Sequence, residues 1–334
     1  MRTRIFTLLS ATLMVATPLS AAVATYAVSG SIAGPDGGWD YASVDPATRR
    51  LYVAHGAAVT AIDLASGKVT AALAPATRPH AVLPIPGTTL LLETDGGTGA
   101  VRLVDGMSGV EKARIPVGEN PDAAIWDAKR KRAVVMNAKS GTIMLIDPLA
   151  AKVTATLALA PALEYAAFDK SGLLYVNNED RNQIAVVDPD RMTLLGWIAL
   201  AGCDGPTGMA YAPTADRIVT ACGNGVVAIV DPATRKMVAS LPIGKGADAV
   251  IADPARRRLF VPSGSGTLAV LAEARGKIGL VETVTTEPSA RTGAVDPTDG
   301  KIYLPAATMA PAATPGARRQ MVPGSFHLIV VSPR

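Results

Sequence analysis

Aromatic residues are scarce in this sequence, at 4% of 334 residues, and charged residues reach only 18%. The low charge, combined with 49% hydrophobic residues, excludes an intrinsically disordered chain. Beyond the first 24 residues no uncharged apolar run reaches about 18 residues, which excludes a bundle of membrane-spanning helices. The sequence also lacks a phosphate-binding loop, a nucleophile elbow and a haem-attachment motif. Any active or binding site therefore has to be formed by residues that are distant in sequence.

The N-terminal 24 residues have the pattern of a secretory signal peptide. Arg2 and Arg4 give a positively charged start, and residues 5–16 form an apolar run. Small residues then provide cleavage sites after Ala22 and after Ala24. We therefore expect cleavage near Ala22 or Ala24, export to a bacterial-type periplasm, and a mature chain with no transmembrane span.

An apolar segment that ends in aspartate recurs along the chain at intervals of 41 to 43 residues. The aspartates are Asp63, Asp105, Asp147, Asp188 and Asp231. A turn motif, such as DPATRR at 45–50 or DPARRR at 253–258, recurs seven times with the same period, and β-rich runs follow most of these turns. Four short strands in a unit of this length are typical of a β-propeller blade, whereas a helical solenoid needs longer stretches with helical spacing.

Seven repeats predict one all-β domain over residues 25–334, a seven-bladed β-propeller with four-stranded blades. The strands of each blade are called A to D, with D outermost. The last repeat ends immediately after its strand C, which leaves no room for a strand D. A strand-like segment at residues 26–32 precedes the first strand A. We expect this N-terminal strand to join the last blade, which closes the ring and covers an exposed sheet edge.

The mature chain contains two cysteines, Cys203 and Cys222. The repeat pattern puts both at the same end of one sheet, and an oxidising compartment permits a disulfide between them. Such a bridge would contribute about 3 kcal/mol by closing a short loop. Two free, half-buried thiols are the alternative.

One repeat contains Tyr175-Val176-Asn177-Asn178, followed by the segment IAVVDP. This segment, with the D-P-x-T-x-(R/K) turns and the LYVA and IYLP strands of other repeats, resembles the YVTN-repeat (YncE-like) family of exported seven-bladed β-propellers. The resemblance covers the periodicity of the whole mature chain and implies the propeller fold. Related propellers include lactonases and haem d1-bearing domains. Blade 2 departs from the pattern at its A–B turn and strand B, and blade 7 departs by an insertion.

In a propeller, the D–A and B–C loops surround the mouth of the central channel on one face, here called the channel-mouth face. Counting back from each A–B turn identifies one residue per blade at the start of strand A. This set, here called the mouth ring, is Asp40, His80, Asp122, Glu164, Thr207, Asp248 and Arg291. Clustered carboxylates would raise one another's pKa or bind a cation, and Arg291 could orient an anionic ligand group. The alternative is that these positions are polar only because they are exposed to solvent.

A divalent cation is the cofactor that these residues suggest. His55 and His80 belong to adjacent blades, so His55, His80 and Asp40 form a chemically sensible ligand set. Two unrelated surface histidines are the alternative. For catalysis the candidates are Glu164 and His80: Glu164, with Asp122 and Asp248, would act as cation ligand or base, and His80 would carry the proton.

Blade 7 carries an insertion at residues 306–325, between strands B and C, which should overhang the channel mouth. A loop of this length is often functional, and Arg318 and Arg319 could close over an acidic ligand. A loop without a function is the alternative.

Three functions stay open at this point. The first is a binding scaffold for a small-molecule ligand or a protein partner in the cell envelope, acting as a monomer. The second is a metal-assisted hydrolase of the lactonase type. The third is nucleic-acid or envelope binding through the basic A–B turns, such as residues 129–132 and 256–258. Acidic residues share those turns and no exposed aromatics are interleaved with them, which argues against nucleic acid.

Overall fold

The computed structural model describes residues 25–312, 314 and 319–334, and these residues form seven four-stranded antiparallel sheets. The seven A strands contact one another in order around the ring, and the last contacts the first. The prediction of a seven-bladed, all-β propeller is therefore confirmed. In the described ranges no helix has the length and apolar character needed to cross a membrane. The predicted signal peptide, residues 1–24, lies outside the described residues.

The strands follow the chain blade by blade. Blade 1 consists of β2 (Trp39–Asp45), β3 (Arg50–His55), β4 (Ala58–Asp63) and β5 (Val69–Pro75), and blade 2 of β6 (Pro79–Pro84), β7 (Leu90–Asp95), β8 (Ala100–Asp105) and β9 (Glu111–Pro116). Blade 3 consists of β10 (Pro121–Asp127), β11 (Arg132–Asn137), β12 (Thr142–Asp147) and β13 (Lys152–Ala158), and blade 4 of β14 (Leu163–Phe168), β15 (Leu174–Asn178), β16 (Gln183–Asp188) and β17 (Thr193–Ala199). Blade 5 consists of β18 (Pro206–Ala212), β19 (Arg217–Cys222), β20 (Val226–Asp231) and β21 (Lys236–Pro242), and blade 6 of β22 (Ile251–Asp253), β23 (Arg258–Ser263), β24 (Ser265–Ala274) and β25 (Lys277–Pro288). Blade 7 consists of β26 (Ala294–Val295), β27 (Ile302–Ala306), β28 (His327–Pro333) and β1 (Tyr26–Ala33).

The N-terminal strand closes the ring as predicted. In blade 7 the strand order is β1-β28-β27-β26, and β1 runs antiparallel to β28 from the pair Tyr26–Pro333 to the pair Ala33–His327. The outer position of the last blade is thus filled by the beginning of the described chain. The ring closes through main-chain hydrogen bonds, which leaves β28 without an exposed edge.

The repeated aspartate at the end of strand C has a structural role in the following turn. The Asp63 carboxylate accepts hydrogen bonds from the backbone N–H groups of Ala65 and Ser66, at 3.1 and 2.8 Å. Asp105 does the same for Met107 and Ser108. An aspartate that satisfies two turn amides fixes the C–D connection, which explains why this residue recurs with the period of the blades.

Strand B of blade 2, which departs from the repeat in sequence, carries a buried acidic side chain. Glu93 is fully buried, and it lies directly opposite Arg102 on the neighbouring strand C. Their side chains pair at 3.2 Å, and Arg102 also pairs with Glu111 at 2.7 Å. The buried acid is therefore compensated within its own blade.

Cys203 and Cys222 form a disulfide, with their Cα atoms 5.4 Å apart. The bridge links the loop before β18 to the end of β19, and both residues are fully buried. It closes a short loop of 19 residues, for which the chain-entropy model gives a contribution of about 3 kcal/mol.

The insertion of blade 7 connects β27 to β28 and is attached to blade 1. Its described ends pair with each other, since Val322 N–H donates to the Thr308 carbonyl at 2.9 Å. Gly324 N–H donates to the Asp36 carboxylate at 2.6 Å, just before the first strand A. Arg318, one of the two arginines singled out in the sequence, lies outside the described residues.

Candidate functional site

A recurring β-bulge marks five of the seven mouth-ring positions. In blades 1 to 5 the ring residue is the second residue of strand A, and the pairing of strands A and B shifts register there. A bulge turns side chains out of the regular alternation of a strand and often lies beside a functional site. The five residues are Asp40, His80, Asp122, Glu164 and Thr207.

Three of the ring residues form a tight cluster. His80 Nδ1 lies 2.6 Å from Asp40 Oδ2 and 3.1 Å from Asp122 Oδ1. Their potential ligand atoms all lie within 4.8 Å of one another, and the described residues contain no second group of three such side chains. The His80 side chain is only 9% exposed. This Asp40–His80–Asp122 cluster brings together side chains from three successive blades.

The charges within the cluster stabilise one another. Burial lowers the pKa of His80, but the hydrogen bond that its Nδ1–H donates to Asp40 and the negative charge of Asp122 outweigh burial and raise the pKa above its ordinary value. Burial raises the pKa of Asp122, and the Asp40 charge adds to this effect, while His80 opposes it. The cluster therefore holds a shared proton readily, as expected for carboxylates around one imidazole.

The second ring nitrogen of His80 is set apart from the carboxylates. His80 Nε2 is buried and has no hydrogen-bond partner among the described residues. It packs against Gly96, where an added Cβ would come within 2.7 Å of it. Only Nδ1 therefore faces the two carboxylates.

The two other acids of the ring both have a raised pKa, and Glu164 is the one that keeps its proton at neutral pH. Burial, followed by the charges of Asp122 and Asp248, raises the pKa of Glu164 to about 10. Burial raises the pKa of Asp248 to about 6, although Arg291 lowers it. Arg291 Nε lies 3.1 Å from Asp248 Oδ2, so this arginine pairs with an acid of the ring.

Thr207 connects blade 5 to the segment that carries Asp248. Its hydroxyl donates a hydrogen bond to the Ala247 carbonyl at 3.1 Å. This bond fixes the position of the D–A loop of blade 6. Because the Thr207 hydroxyl has one O–H group, it has no second hydrogen bond to donate to a ligand. Thr207 therefore acts in the ring as a positioning residue.

His55 lies outside the cluster, contrary to the ligand set expected from the sequence. Its two ring nitrogens contact Thr60 Oγ1 and the Gly37 carbonyl, each at 3.1 Å. Its ring stacks on Phe326, with centroids 4.1 Å apart. Both nitrogens of His55 thus contact neighbouring groups of the chain, and the third member of the cluster is Asp122. His55 instead packs Phe326, the residue that follows the insertion, against blade 1.

Two tyrosines below the ring narrow the channel. Tyr41 and Tyr165 follow ring residues directly in blades 1 and 4, and their ring centroids are 5.0 Å apart. Burial and the nearby acids, Glu164 first among them, hold the pKa of Tyr41 well above its usual range. A cavity of about 180 Å³ lies beside both rings. The tyrosines were missed in the sequence, although the residues after the ring positions are otherwise small: Ala81, Ala123, Gly208, Ala249 and Thr292.

On the opposite face, many of the basic side chains in the A–B turns are paired. The pairs are Arg130–Asp127, Arg132–Asp127, Arg256–Asp253 and Arg49–Asp296. Acids of the same or the neighbouring turn thus balance these guanidinium groups. The pairing weakens the case for polyanion binding through this face, which depends on uncompensated positive charge.

No protein-family model and no curated protein matches the sequence. Solved structures do match. A chain of Kuenenia stuttgartiensis hydrazine synthase aligns with a TM-score of 0.70 and 16% identity, over 89% of this chain and 98% of that chain. A chain from a crystal structure of a mitotic checkpoint complex aligns with a TM-score of 0.73 and 14% identity, over 99% of each chain. This chain is a seven-bladed β-propeller. At such low identity the similarity shows the fold alone, and the site has to be interpreted from its own residues.

Proposed function

We propose that this protein is an exported β-propeller of the YVTN-repeat class that binds a small ligand at its channel-mouth face through a divalent cation. The single observation that carries the proposal is the Asp40–His80–Asp122 cluster. Three potential ligand atoms from three separate blades lie within 4.8 Å of one another, which is a spacing that one cation can bridge.

The donor set favours a particular kind of cation. One imidazole nitrogen with two carboxylate oxygens suits Zn²⁺ better than Ca²⁺, which prefers oxygen ligands throughout. The cation would take the place of the proton on His80 Nδ1, as metal binding generally releases protons from its ligands. Three protein ligands leave coordination positions for water or a ligand in the channel mouth.

Export is part of the same proposal. The basic start, apolar run and small-residue cleavage sites of residues 1–24 support it, as does a disulfide, since disulfides persist in oxidising compartments. The YVNN segment at 175–178 and the aspartate-ended strands support membership of the YVTN-repeat class.

Zn²⁺ added to chelator-treated protein is expected to raise the melting temperature by about 5 °C at saturation. A ligand present at about 100 times its dissociation constant adds roughly 2.7 kcal/mol to the stability of the folded state. Asp122→Asn should weaken Zn²⁺ binding by at least about 10-fold in calorimetric titration, because it removes the negative charge of one of three ligands.

Glu119→Gln is the matched control for the cation experiment. Glu119 lies in a D–A loop of the same face and is exposed, and among the described residues its one salt bridge is with the exposed Lys139. This variant loses the same charge but should bind Zn²⁺ as the wild type does. If Asp122→Asn binds Zn²⁺ as tightly as the wild type, the cluster is not the cation site.

A second candidate function is metal-assisted hydrolysis of lactones, which the protonation of Glu164 favours. A carboxylic acid that keeps its proton at neutral pH beside a candidate cation site has the properties of a general acid. The Zn²⁺-loaded protein would hydrolyse members of a panel of small lactones, and Glu164→Gln would lower the rate by about 100-fold. Hydrolysis no faster than in buffer would rule out this candidate.

A further inference from the structure

We infer that a cavity beside the channel mouth binds a small amphipathic organic anion, with an aromatic or branched apolar body and one carboxylate. The cavity, here called the side cavity, lies between the insertion of blade 7 and the D–A loops of blades 1, 6 and 7. The inference rests on the proposed function, because it names the class of ligand for the same face.

The side cavity has the size and the walls of a small-molecule site. Its volume is about 460 Å³, within the range of typical ligand pockets. Trp39, Pro288 and Met309 provide the apolar surface of the cavity. An indole and a proline ring in the same lining suit a ligand with a planar or branched apolar body. Gly38, Gly246 and Gly264 leave the space open, because they have no side chains to fill it.

Positive charge lies at the edge of this apolar surface. Arg291 and Arg319 both line the side cavity, and the Arg291 side chain is half exposed. Arg291 pairs with Asp248 through Nε, whereas a guanidinium has five N–H donors arranged as a fork. Such a fork binds carboxylates through two parallel hydrogen bonds, which selects an anion over a neutral ligand.

The side cavity adjoins the mouth ring directly. Trp39 precedes Asp40 in β2, and Arg291 pairs with Asp248 of the ring. A ligand whose apolar body contacts Trp39 would have its carboxylate at Arg291, on the edge of the channel mouth. Trp39 Nε1 is buried and has no hydrogen-bond partner among the described residues.

Met309 and Arg319 of the insertion line the side cavity, and the described C-terminal end of the insertion is bonded to the segment before blade 1 through Gly324 and Asp36. Met309 lines the cavity and pairs with Met321 across the insertion. Phe326, the residue that follows the insertion, packs against Trp39 with ring centroids 5.4 Å apart. The insertion thus contributes a wall that the other six blades lack.

Calorimetric titration with 2-naphthoate tests the inference, with 2-naphthylmethanol as the neutral analogue. We expect naphthoate to bind the wild type at least about 10-fold more tightly than the alcohol, because only the carboxylate can pair with the arginines. Arg291→Gln should lower naphthoate affinity by about 10-fold, and Arg319→Gln by a smaller factor. Arg78→Gln is the control, since Arg78 is exposed on the same face but lies outside the side cavity.

A space-filling variant separates loss of binding from loss of folding. A Cβ at Gly38 would meet nothing within 4 Å, so Gly38→Leu should fold normally and reduce the cavity volume. Its melting temperature should match the wild type while naphthoate affinity falls by about 10-fold. Equal binding of naphthoate and the alcohol, or no binding of naphthoate at millimolar concentrations, would overturn the inference.

Titrations in chelator and in Zn²⁺ distinguish this inference from the proposed cation site. Arg291-dependent naphthoate binding in chelator, with no binding of Zn²⁺, would support the side cavity and contradict the cation proposal. Zn²⁺ binding that depends on Asp122, without Arg291-dependent naphthoate binding, would overturn the side cavity and leave the cation proposal standing.

Discussion

Gly208→Val is expected to lower the free energy of unfolding by at least about 3 kcal/mol. Gly208 lies in strand A of blade 5, where a Cβ would come within 2.3 Å of the Ala249 Cα and 2.6 Å of the Val250 nitrogen in the next blade. The obstructing atoms are backbone, so two blades would have to separate around the channel. Overpacking of this kind costs 1–3 kcal/mol even where side chains can adjust. Thermal or denaturant unfolding measures the loss.

Gly279→Val is the matched control for Gly208→Val. Gly279 lies in the outermost strand of blade 6, where a Cβ would meet nothing within 4 Å. Valine suits a strand, so this variant should be as stable as the wild type or slightly more stable. If Gly208→Val has the same unfolding midpoint as the wild type, blades 5 and 6 do not pack this closely.

The metal-free wild type is expected to lose stability as the pH rises from about 5 to 9. In the unfolded chain Glu164 ionises near its ordinary pKa of 4.5, whereas in the folded protein its pKa is about 10. Between these values the unfolded state binds fewer protons, so stability falls with rising pH. Asp248, with a pKa of about 6, contributes in the same direction at the acidic end of this range. Thermal melts in chelator measure the slope.

Glu164→Gln should reduce this slope and stabilise the protein by about 3 kcal/mol at pH 8. Glutamine keeps the shape and polarity of the protonated acid but has no proton to lose, and each unit of pKa shift corresponds to about 1.4 kcal/mol. We expect less than the full shift because nearby acids readjust when one is removed. Glu119→Gln, on the exposed rim of the same face, should leave the slope unchanged. A wild-type slope in Glu164→Gln would mean that Glu164 is ionised in the folded protein.

The blade architecture was predictable because it depends on local chemistry that repeats. Asp63 and its equivalents each satisfy the amides of a C–D turn, so they recur with the period of the blade. The missing outer strand of blade 7 was also predictable, because a strand count leaves one vacancy and the segment that begins at Tyr26 has the right composition to fill it. Both inferences need only neighbours in sequence or a count of strands.

The positions of the mouth ring could be counted in the sequence, but the contacts within the ring could not. The sequence suggested His55 as a partner for His80, and the structure instead brings Asp122 to His80 and packs His55 against Phe326. Which ring members meet depends on the bulges in the A strands of blades 1 to 5 and on the angle between blades. Neither is visible in the spacing of residues.

Local patterns therefore determined the blades, their number and, in blades 1 to 5, the ring residues at the start of strand A. Asp248 and Arg291 instead lie three residues before β22 and β26. Only the tertiary structure decided three further features: the cluster of Asp40, His80 and Asp122, the salt bridge between Asp248 and Arg291, and the side cavity. The physical reason is the closure of the ring. It brings together side chains that are about 40 or more residues apart in sequence, and their distances and shared charges exist only once all seven blades have closed around the channel.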